Sequence, residues 1–182
     1  DHEDSRDLDQ ALFIARRESG YAVYYALADG AYYVRPGSAL FNEALARGAS
    51  FYLPGLCAPM LPRPLSEDLV SLNARVDRRA LVFEMSLDTQ GNCTGTRMTR
   101  ARIHSRAKLS YGGVQALLDT PETSDLAGQD FTESLLLLKT VGLRRIEEAH
   151  QRSVVRFDRS EIKLTKGDAG LRVTEGKRVD VE

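Results

Sequence analysis

A length of 182 residues and a mass of 20.2 kDa suit one ordinary domain. Hydrophobic residues make up 42% and charged residues 28%, which excludes a disordered or collagen-like chain. No apolar run approaches the roughly 18 residues of a membrane-spanning helix, so we expect no membrane partner. Lys and Arg number 25 against 26 Asp and Glu, for a net charge of −1. A polyanionic partner must therefore be met by a local basic patch.

The two cysteines, Cys57 and Cys93, lack the spacing of a metal or redox motif. One such pair is not a disulfide framework, which favours a reducing compartment and predicts a cytoplasmic protein. The chain opens on DHEDSRDLDQ, with no Met, basic region or apolar leader. We therefore expect a processed protein or a part of something longer.

Apolar periodicity, capping residues and turn residues predict a chain of mixed α and β structure. In chain order we expect a hairpin of residues 11–17 and 21–29 around Glu18-Ser19-Gly20, a helix from its cap Ser38 to about Arg47 that Gly48 ends, and a rigid, irregular proline-rich segment at 52–64. A hairpin of residues 80–88 and a long strand to about Leu109 should follow, then a loop at 119–130, a helix from about Phe131 to Arg152, and a last hairpin turning at 166–170. The long helix should bury a stripe of Leu135, Leu138, Val141 or Gly142, Ile146 and Ala149. The predicted fold is α+β, with a mostly antiparallel sheet flanked by helices.

Carboxylates crowd the start of the chain. The first ten residues hold Asp1, Glu3, Asp4, Asp7 and Asp9. Hard divalent cations prefer oxygen ligands, and carboxylates this close together repel unless a cation lies among them. Asp7 and Asp9 would point to the same side of an extended segment. On charge alone a frayed, solvated terminus is the favoured interpretation.

A row of cations lies on one side of the strand that starts near Arg97. Its even positions are Arg100, Arg102, His104, Arg106 and Lys108, and its odd positions from Ala101 to Leu109 are mostly apolar. A two-residue period puts the even set on one face. Such a row is typical of a guarded edge strand, and it also suits the phosphates of single-stranded nucleic acid. The pattern favours neither interpretation.

Among the seven tyrosines, Tyr52 is the best candidate for a base-stacking platform. It follows Phe51 and precedes the proline-rich segment, whose backbone should be stiff. The histidines His2, His104 and His150 form no ligand set, and we expect surface roles for them.

Four motifs together resemble the catalytic domain of the ribonuclease II/ribonuclease R family, the hydrolytic 3′→5′ exoribonucleases. They are DHEDSRDLDQA (Asp1–Ala11), ALADGAYYVRPGSAL (Ala26–Leu40), YLPGLCAPMLPRPLSEDLVSLN (Tyr52–Asn73) and IHSRAKLSY (Ile103–Tyr111), with VRFDRSEIKL (Val155–Leu164) similar to the strand after the long helix. They stand in family order at family-like spacing. The resemblance implies that residues 1–182 are the N-terminal portion of an RNB-type catalytic domain.

The resemblance also implies a metal site. The family pattern D-x5-D-x-D-D falls on Asp1, Asp7, Asp9 and Gln10, so the fourth position carries a carboxamide in place of a carboxylate. A carboxamide oxygen can contact Mg²⁺ but brings no charge. By the same resemblance Tyr52 stacks a base near the RNA 3′ end and Tyr111 lines the RNA path.

The implied activity is Mg²⁺-dependent, processive hydrolysis of single-stranded RNA to nucleoside monophosphates. Asp1 and Gln10 would hold one ion, Asp7 and Asp9 would hold the other or orient the water, and Asp9 is the catalytic residue whose loss should do most damage. Arg102, Arg106 and Lys108 would guide the RNA backbone.

The family's second half of the domain and its flanking OB-type barrels are expected partners, so we expect these 182 residues alone to be inactive. Two alternatives remain open. One is a catalytically impaired RNA-binding protein on the same fold, with Gln10 as the lesion. The other is an acidic turn that holds a structural cation, which predicts no RNA affinity.

Overall fold

We describe a computed structural model of the chain, in which residues 4–54, 56–155, 161–167 and 170–176 can be described. A four-stranded antiparallel sheet in the order β1-β2-β5-β6 forms its centre. The strands are β1 (Gln10–Arg17), β2 (Gly20–Ala28), β5 (Asp77–Leu87) and β6 (Cys93–His104). Every strand pair in the described part is antiparallel, as the sequence predicts.

The first hairpin turns where the sequence predicts, between Arg17 and Gly20. Gly20 has a φ of 140°, and a Cβ there would lie 2.1 Å from the carbonyl oxygen of Leu87. Only glycine fits this close approach of two backbones.

Among the described residues, three helices are at least two turns long: α2 (Ala39–Arg47), α3 (Tyr111–Asp119) and α4 (Thr132–Gln151). A four-residue turn, α1 (Gly30–Tyr33), follows β2. The predicted limits of α2 are confirmed, because the Ser38 hydroxyl accepts the Phe41 N–H at 3.1 Å and Gly48 ends the helix in the left-handed conformation. The sequence analysis missed α3, since two glycines in its first turn lower its helix propensity. Its cap Ser110 and its buried Leu117 stabilise it.

The helix α4 covers one face of the sheet. Leu137 and Val141 pack against Ile14, Val23 and Leu87 there. The Ser134 hydroxyl accepts the Ile14 N–H at 2.8 Å, which ties α4 to β1. The predicted stripe is only partly right: Leu135 and Val141 are buried, Leu138 packs against this core, and Ile146 is exposed. The stripe shifts because Leu137 faces the sheet while Leu135 packs against α3.

The opposite face of the sheet has a second core at one end. Leu8 and Leu72, from segments outside the sheet, pack there on Ala26 and Ala80. This core brings the acidic N-terminal segment beside the segment before β5, and it determines where the predicted site lies.

Two predicted boundaries are wrong. The strand β6 ends at His104 and not near Leu109, because its partner β5 begins at Asp77, which pairs with His104. The proline-rich segment is not wholly irregular. It contains a separate ribbon of β3 (Phe51–Leu53) and β4 (Leu56–Ala58), and a π-helical turn starts at Pro64 and ends at Leu69.

A last hairpin joins β7 (Glu161–Gly167) to β8 (Gly170–Gly176). The predicted turn residues Asp168 and Ala169 lie outside the described residues, as do residues 156–160 of the last family-like motif. Within the described part, no helix is long and apolar enough to cross a membrane.

Candidate functional site

The acidic N-terminal segment is held firmly from Arg6 to Asp9. Ser71 contributes most, since its hydroxyl accepts the Leu8 N–H at 2.9 Å and donates to the Arg6 carbonyl at 2.8 Å. The Leu72 N–H then donates to the Leu8 carbonyl at 2.8 Å. A frayed terminus, which charge alone favours, is therefore wrong for these residues.

On its other side the segment continues the sheet. The Ala28 N–H donates to the Asp9 carbonyl at 2.9 Å, one residue before β1 begins at Gln10. Asp7 and Asp9 thus lie just before β1. Hydrogen bonds from Ser71 and Leu72 on one side and from Ala28 on the other hold their backbone in place. Asp1 lies outside the described residues.

Sequence reasoning missed Ser71, which is 1% exposed. A serine between the apolar residues Val70 and Leu72 is the signal that could have found it, because a buried hydroxyl needs hydrogen-bond partners. Asn73 accepts from the same hydroxyl at 3.2 Å and donates to the Glu67 carbonyl at 3.1 Å. The proline-rich motif therefore supports the acidic segment through its last residues.

Replacing Ser71 with Ala should loosen the acidic segment. The change leaves a buried N–H and a buried carbonyl without their partner, which costs about 1–3 kcal/mol of stability. Urea unfolding of Ser71→Ala against the exposed Ser86→Ala measures the difference. Equal midpoints for the two variants would show that Ser71 does not hold the segment.

The carboxylates of Asp7 and Asp9 repel each other. Burial, and then the charge of Asp7, raises the pKa of the Asp9 carboxyl above its ordinary value. Negative charge is thus concentrated here without full compensation by the protein. A divalent cation beside both groups would relieve this repulsion, and carboxylate oxygens are its preferred ligands.

Tyr52 meets Asp7 directly, although 45 residues separate them in the chain. The Tyr52 hydroxyl donates a hydrogen bond to Asp7 Oδ2, and this bond chiefly raises the pKa of Tyr52 to about 12. The phenol therefore stays protonated at neutral pH. Tyr52 is 65% exposed on the β3–β4 ribbon, so its ring is open beside the acidic segment.

Gln10 is the first residue of β1, and its side-chain oxygen is engaged. It accepts a hydrogen bond from the Tyr25 hydroxyl. Within the described residues, no three side chains of the His, Cys, Asp or Glu type lie close enough together to hold a metal ion. The described part of the predicted site thus offers two carboxylates and one carboxamide. Their oxygen atoms are of the kind that a hard cation prefers, and together they carry less charge than four aspartates.

The basic row is extensively paired with carboxylates. Asp77 lies 3.4 Å from Arg102 and 2.8 Å from His104, and its pKa is lowered, chiefly by the hydrogen bond with His104. Arg106 pairs with Asp130 at 2.5 Å. These pairs reduce the row's positive field, and since the strand ends at His104, Arg106 lies beyond it.

Lys108 and Tyr111 lie farther along the same segment. Lys108 Nζ donates to the Ser5 carbonyl at 2.5 Å, which brings this end of the basic row to the acidic segment. Tyr111 is the first residue of α3 and is half-buried. The structure therefore brings Asp7, Asp9, Tyr52 and Lys108 into one region. Arg102 and Arg106 precede Lys108 on the same segment.

A second missed residue is Asp29, which is 2% exposed. Its Oδ2 lies 3.2 Å from Arg100 Nε, while Oδ1 has no hydrogen-bond partner. Arg100 of the predicted basic row is thus committed to a buried carboxylate, and this pairing makes it a structural residue.

Comparison with known proteins assigns this architecture to a class. The RNB domain family model matches residues 1–180. The chain is 38% identical over 165 residues to ribonuclease R of Vibrio parahaemolyticus, which covers 90% of the chain. The chain therefore belongs to the RNB domain family, and the resemblance drawn from the motifs is confirmed.

Solved structures agree with this assignment. Ribonuclease R of Mycoplasma genitalium in complex with ribose-methylated single-stranded RNA matches with a TM-score of 0.88, 27% identity and 97% of the chain. The same enzyme with double-stranded RNA matches with a TM-score of 0.87, 28% identity and 96% of the chain. The predicted α+β fold is thereby confirmed. The chain spans 20% of the Vibrio protein and 28% and 32% of the two Mycoplasma chains.

Proposed function

We propose that the protein is a Mg²⁺-dependent 3′→5′ exoribonuclease that hydrolyses single-stranded RNA processively to nucleoside monophosphates. One contact carries the proposal: the hydrogen bond from Tyr52, the predicted base-stacking residue, to Asp7, a predicted metal ligand. It places an exposed aromatic ring directly beside a crowded pair of carboxylates. Membership of a family whose ribonuclease R members have been solved with RNA supports the same assignment.

The carboxylates define the catalytic part of the site. Two bound Mg²⁺ ions would supply an activated water and stabilise the leaving oxygen. Asp1 and Gln10 would hold one ion, and Asp7 and Asp9 would hold the other or orient the water. Asp9 is the residue on which we expect the rate to depend most. The Ala28 N–H fixes its carbonyl at the edge of the sheet, and its carboxyl lies beside the charge of Asp7.

Digestion of a 5′-labelled RNA by the intact source protein tests the proposal directly. We expect release of mononucleotides from the 3′ end that requires Mg²⁺ and stops in a chelator. A DNA strand of the same sequence and an RNA with a blocked 3′ end are the controls. Internal cleavage products, or equal cleavage of all three strands, would contradict it.

Truncation of the Tyr52 ring should lengthen the final product. Tyr52→Ala removes about 1–3 kcal/mol of base stacking, and short RNAs lack distant contacts that could compensate. Tyr52→Phe keeps the ring and loses only the hydrogen bond to Asp7, so its end product should match that of the unchanged protein. A sequencing gel compares the three. An unchanged product with Tyr52→Ala would remove the stacking role.

The basic row should contribute to the salt dependence of RNA binding. Replacing Arg102 and Arg106 with Ala should weaken binding, and each lost phosphate contact should reduce the log–log slope against salt by about 0.7. Asp77 and Asp130 already pair with these arginines, so RNA must compete with them. The matched control is Arg47→Ala on α2, whose arginine pairs with Glu43. An unchanged slope means that the row is only a guarded edge.

A catalytically impaired RNA-binding protein is the second candidate. Gln10 favours it, because the residue is neutral and Tyr25 already occupies its side-chain oxygen. Both candidates predict RNA binding. Only the exoribonuclease releases mononucleotides in Mg²⁺, so the digestion above separates them.

The partner beyond RNA is the remainder of the same enzyme. We propose that residues 1–182, with an internal loop at 119–130, form the N-terminal portion of the catalytic domain and are inactive alone. The proposal also includes the other half of that domain, flanking OB-type domains and a cytoplasmic location. The last hairpin supports this proposal, because it exposes one apolar face, formed by Ile162, Leu164, Leu171 and Val173. An isolated two-stranded hairpin is only marginally stable, so this face needs a partner. The intact mass of the source protein tests it and should lie well above 20.2 kDa.

A further inference from the structure

One row of side chains crosses all four strands of the sheet on the face opposite α4. We call it the Phe13 row, and its members in register are Phe13, Tyr24, Glu84 and Arg97. Residues Ile14 and Val23, next to its first two members, face α4. Because successive side chains alternate between faces, the Phe13 row points away from that helix.

The aromatic end of the row is exposed and held in place. Phe13 is 50% exposed, and its ring centroid lies 6.0 Å from that of Tyr24 with 31° between the planes. The Tyr24 hydroxyl donates to Glu84 at 3.2 Å, and Glu84 pairs with Arg97 at 2.5 Å. This chain of contacts fixes Tyr24, which in turn supports the Phe13 ring.

Arg17 lies on the same face of the sheet and contacts Tyr24. The adjacent row contains only small residues, namely Ala15, Ala22, Ser86 and Gly95. Arg17 pairs with Gly20 beyond that row, yet its guanidinium donates to the Tyr24 hydroxyl at 2.8 Å. Its side chain must therefore cross the small row, which accounts for the 4% exposure of Ala22.

This face is separate from the candidate active site. Asp9 and Phe13 are four residues apart on an extended chain, about 14 Å. Between them Ala11 packs against the core of Leu8 and Leu72. A nucleotide on the Phe13 row would therefore not occupy the Tyr52 site.

An exposed aromatic ring and a guanidinium that both contact Tyr24 on one face of the sheet are groups that can bind a nucleotide. Bases of single-stranded RNA stack on aromatic side chains and on arginine planes, and Arg17 can also contact a phosphate. A docked protein would need roughly 500 Å² or more of contact surface on each side, with an apolar centre. The row has one large apolar side chain, Phe13, and its other members are polar or charged.

We propose that the Phe13 row binds a nucleotide of single-stranded RNA, with the base stacked on Phe13 and the backbone contacted by Arg17. The proposal rests on the proposed function, in which RNA is the substrate. It adds a second contact for the strand, outside the catalytic centre.

Fluorescence-anisotropy titrations with a labelled oligouridylate, in a chelator that prevents hydrolysis, test this site. Phe13→Leu should weaken binding by about 5- to 100-fold, the range expected for the loss of one stacked base. Phe13→Tyr, which keeps the ring, should retain the affinity. Arg17→Lys keeps the charge and should still weaken binding, since an ammonium group cannot make the two parallel hydrogen bonds that a guanidinium makes to a phosphate. Met98→Ala, exposed on the other face of the same sheet, is the matched control and should have no effect.

Several results would overturn the proposal. Equal affinity of Phe13→Leu and the unchanged protein, or an equal loss with Met98→Ala, removes the stacking role. Equal loss with Phe13→Tyr and Phe13→Leu indicates a packing defect or a protein-docking face. Absence of RNA binding by the unchanged protein also overturns it. The proposed exoribonuclease is tested separately, by mononucleotide release from the unchanged protein in Mg²⁺. If that release occurs while Phe13→Leu binds RNA as tightly as the unchanged protein, only the Phe13 row is overturned.

Discussion

Replacing Asp9 with Asn is expected to reduce the rate of RNA hydrolysis by about 10²- to 10⁴-fold, the range that a group positioning a reacting proton or water contributes. Asn has nearly the same shape, so binding of RNA through Tyr52 should persist. The measurement is the single-turnover rate on a short labelled RNA in saturating Mg²⁺.

The same change should stabilise the metal-free protein. The pKa of Asp9 is raised. At a pH above that pKa, the ionised carboxylate therefore lowers the stability of the folded protein. Asn removes both the burial of a charge and the repulsion from Asp7. In a chelator at neutral pH the melting temperature should therefore rise, and the further rise on adding Mg²⁺ should shrink.

Asp4→Asn is the matched control, because Asp4 is exposed in the same segment and lies outside the family pattern. It makes the same change of charge and should alter neither rate nor stability appreciably. A fully active Asp9→Asn protein would contradict the assignment of Asp9. An unchanged metal-free stability would contradict the crowding of the two carboxylates.

Replacing Gln10 with Asp is expected to increase the affinity for Mg²⁺. A fourth carboxylate adds negative charge beside the cations. The number of charged ligands is one of the factors that set the affinity of an oxygen site for its cation. The half-saturating Mg²⁺ concentration of the exonuclease should fall, by about tenfold if the added charge contributes 1.4 kcal/mol. Mg²⁺ titrations of rate and of melting temperature measure it.

Without metal the Gln10→Asp protein should be less stable than the unchanged protein. A new carboxylate near Asp7 and Asp9 adds like-charge repulsion, and the hydrogen bond from Tyr25 changes with it. Gln10→Asn separates the two causes, since it shortens the side chain without adding charge. Tyr25→Phe removes the hydroxyl and leaves Gln10 in place.

An unchanged half-saturating concentration in Gln10→Asp would mean that position 10 does not face the metal. The alignment of the acidic segment with the family pattern would then be wrong at that position, or another residue would hold the ligand's place. A gain confined to Gln10→Asp and absent from Gln10→Asn would support a weakened four-aspartate site.

Local sequence signals predicted much of the fold because their causes are local. The turn before Gly20, the cap at Ser38 and the stop at Gly48 depend on neighbouring backbone groups. Such signals failed where a distant partner decided the outcome. The strand β6 ends at His104 because β5 begins at Asp77, and no pattern within residues 97–109 contains that limit.

In the candidate site, too, the sequence predicted some features and the tertiary structure decided others. The acidic pattern around Asp7 and Asp9, the departure at Gln10 and the position of Tyr52 are all legible in the sequence. The partner of each basic residue is not, because Asp77 and Asp130 come from other segments. The basic row that the two-residue period places on one face is thus largely paired with carboxylates.

The sequence alone determined the family, the antiparallel α+β class and the residue types of the candidate site. Only the tertiary structure decided that the acidic segment is rigid and that Tyr52 contacts Asp7. The physical reason is that periodicity and capping act over a few residues, whereas the burial of a hydroxyl or a hydrogen bond between distant residues depends on packing. Ser71, 63 residues from Leu8 in the chain, holds that residue only because Leu8 and Leu72 share one core.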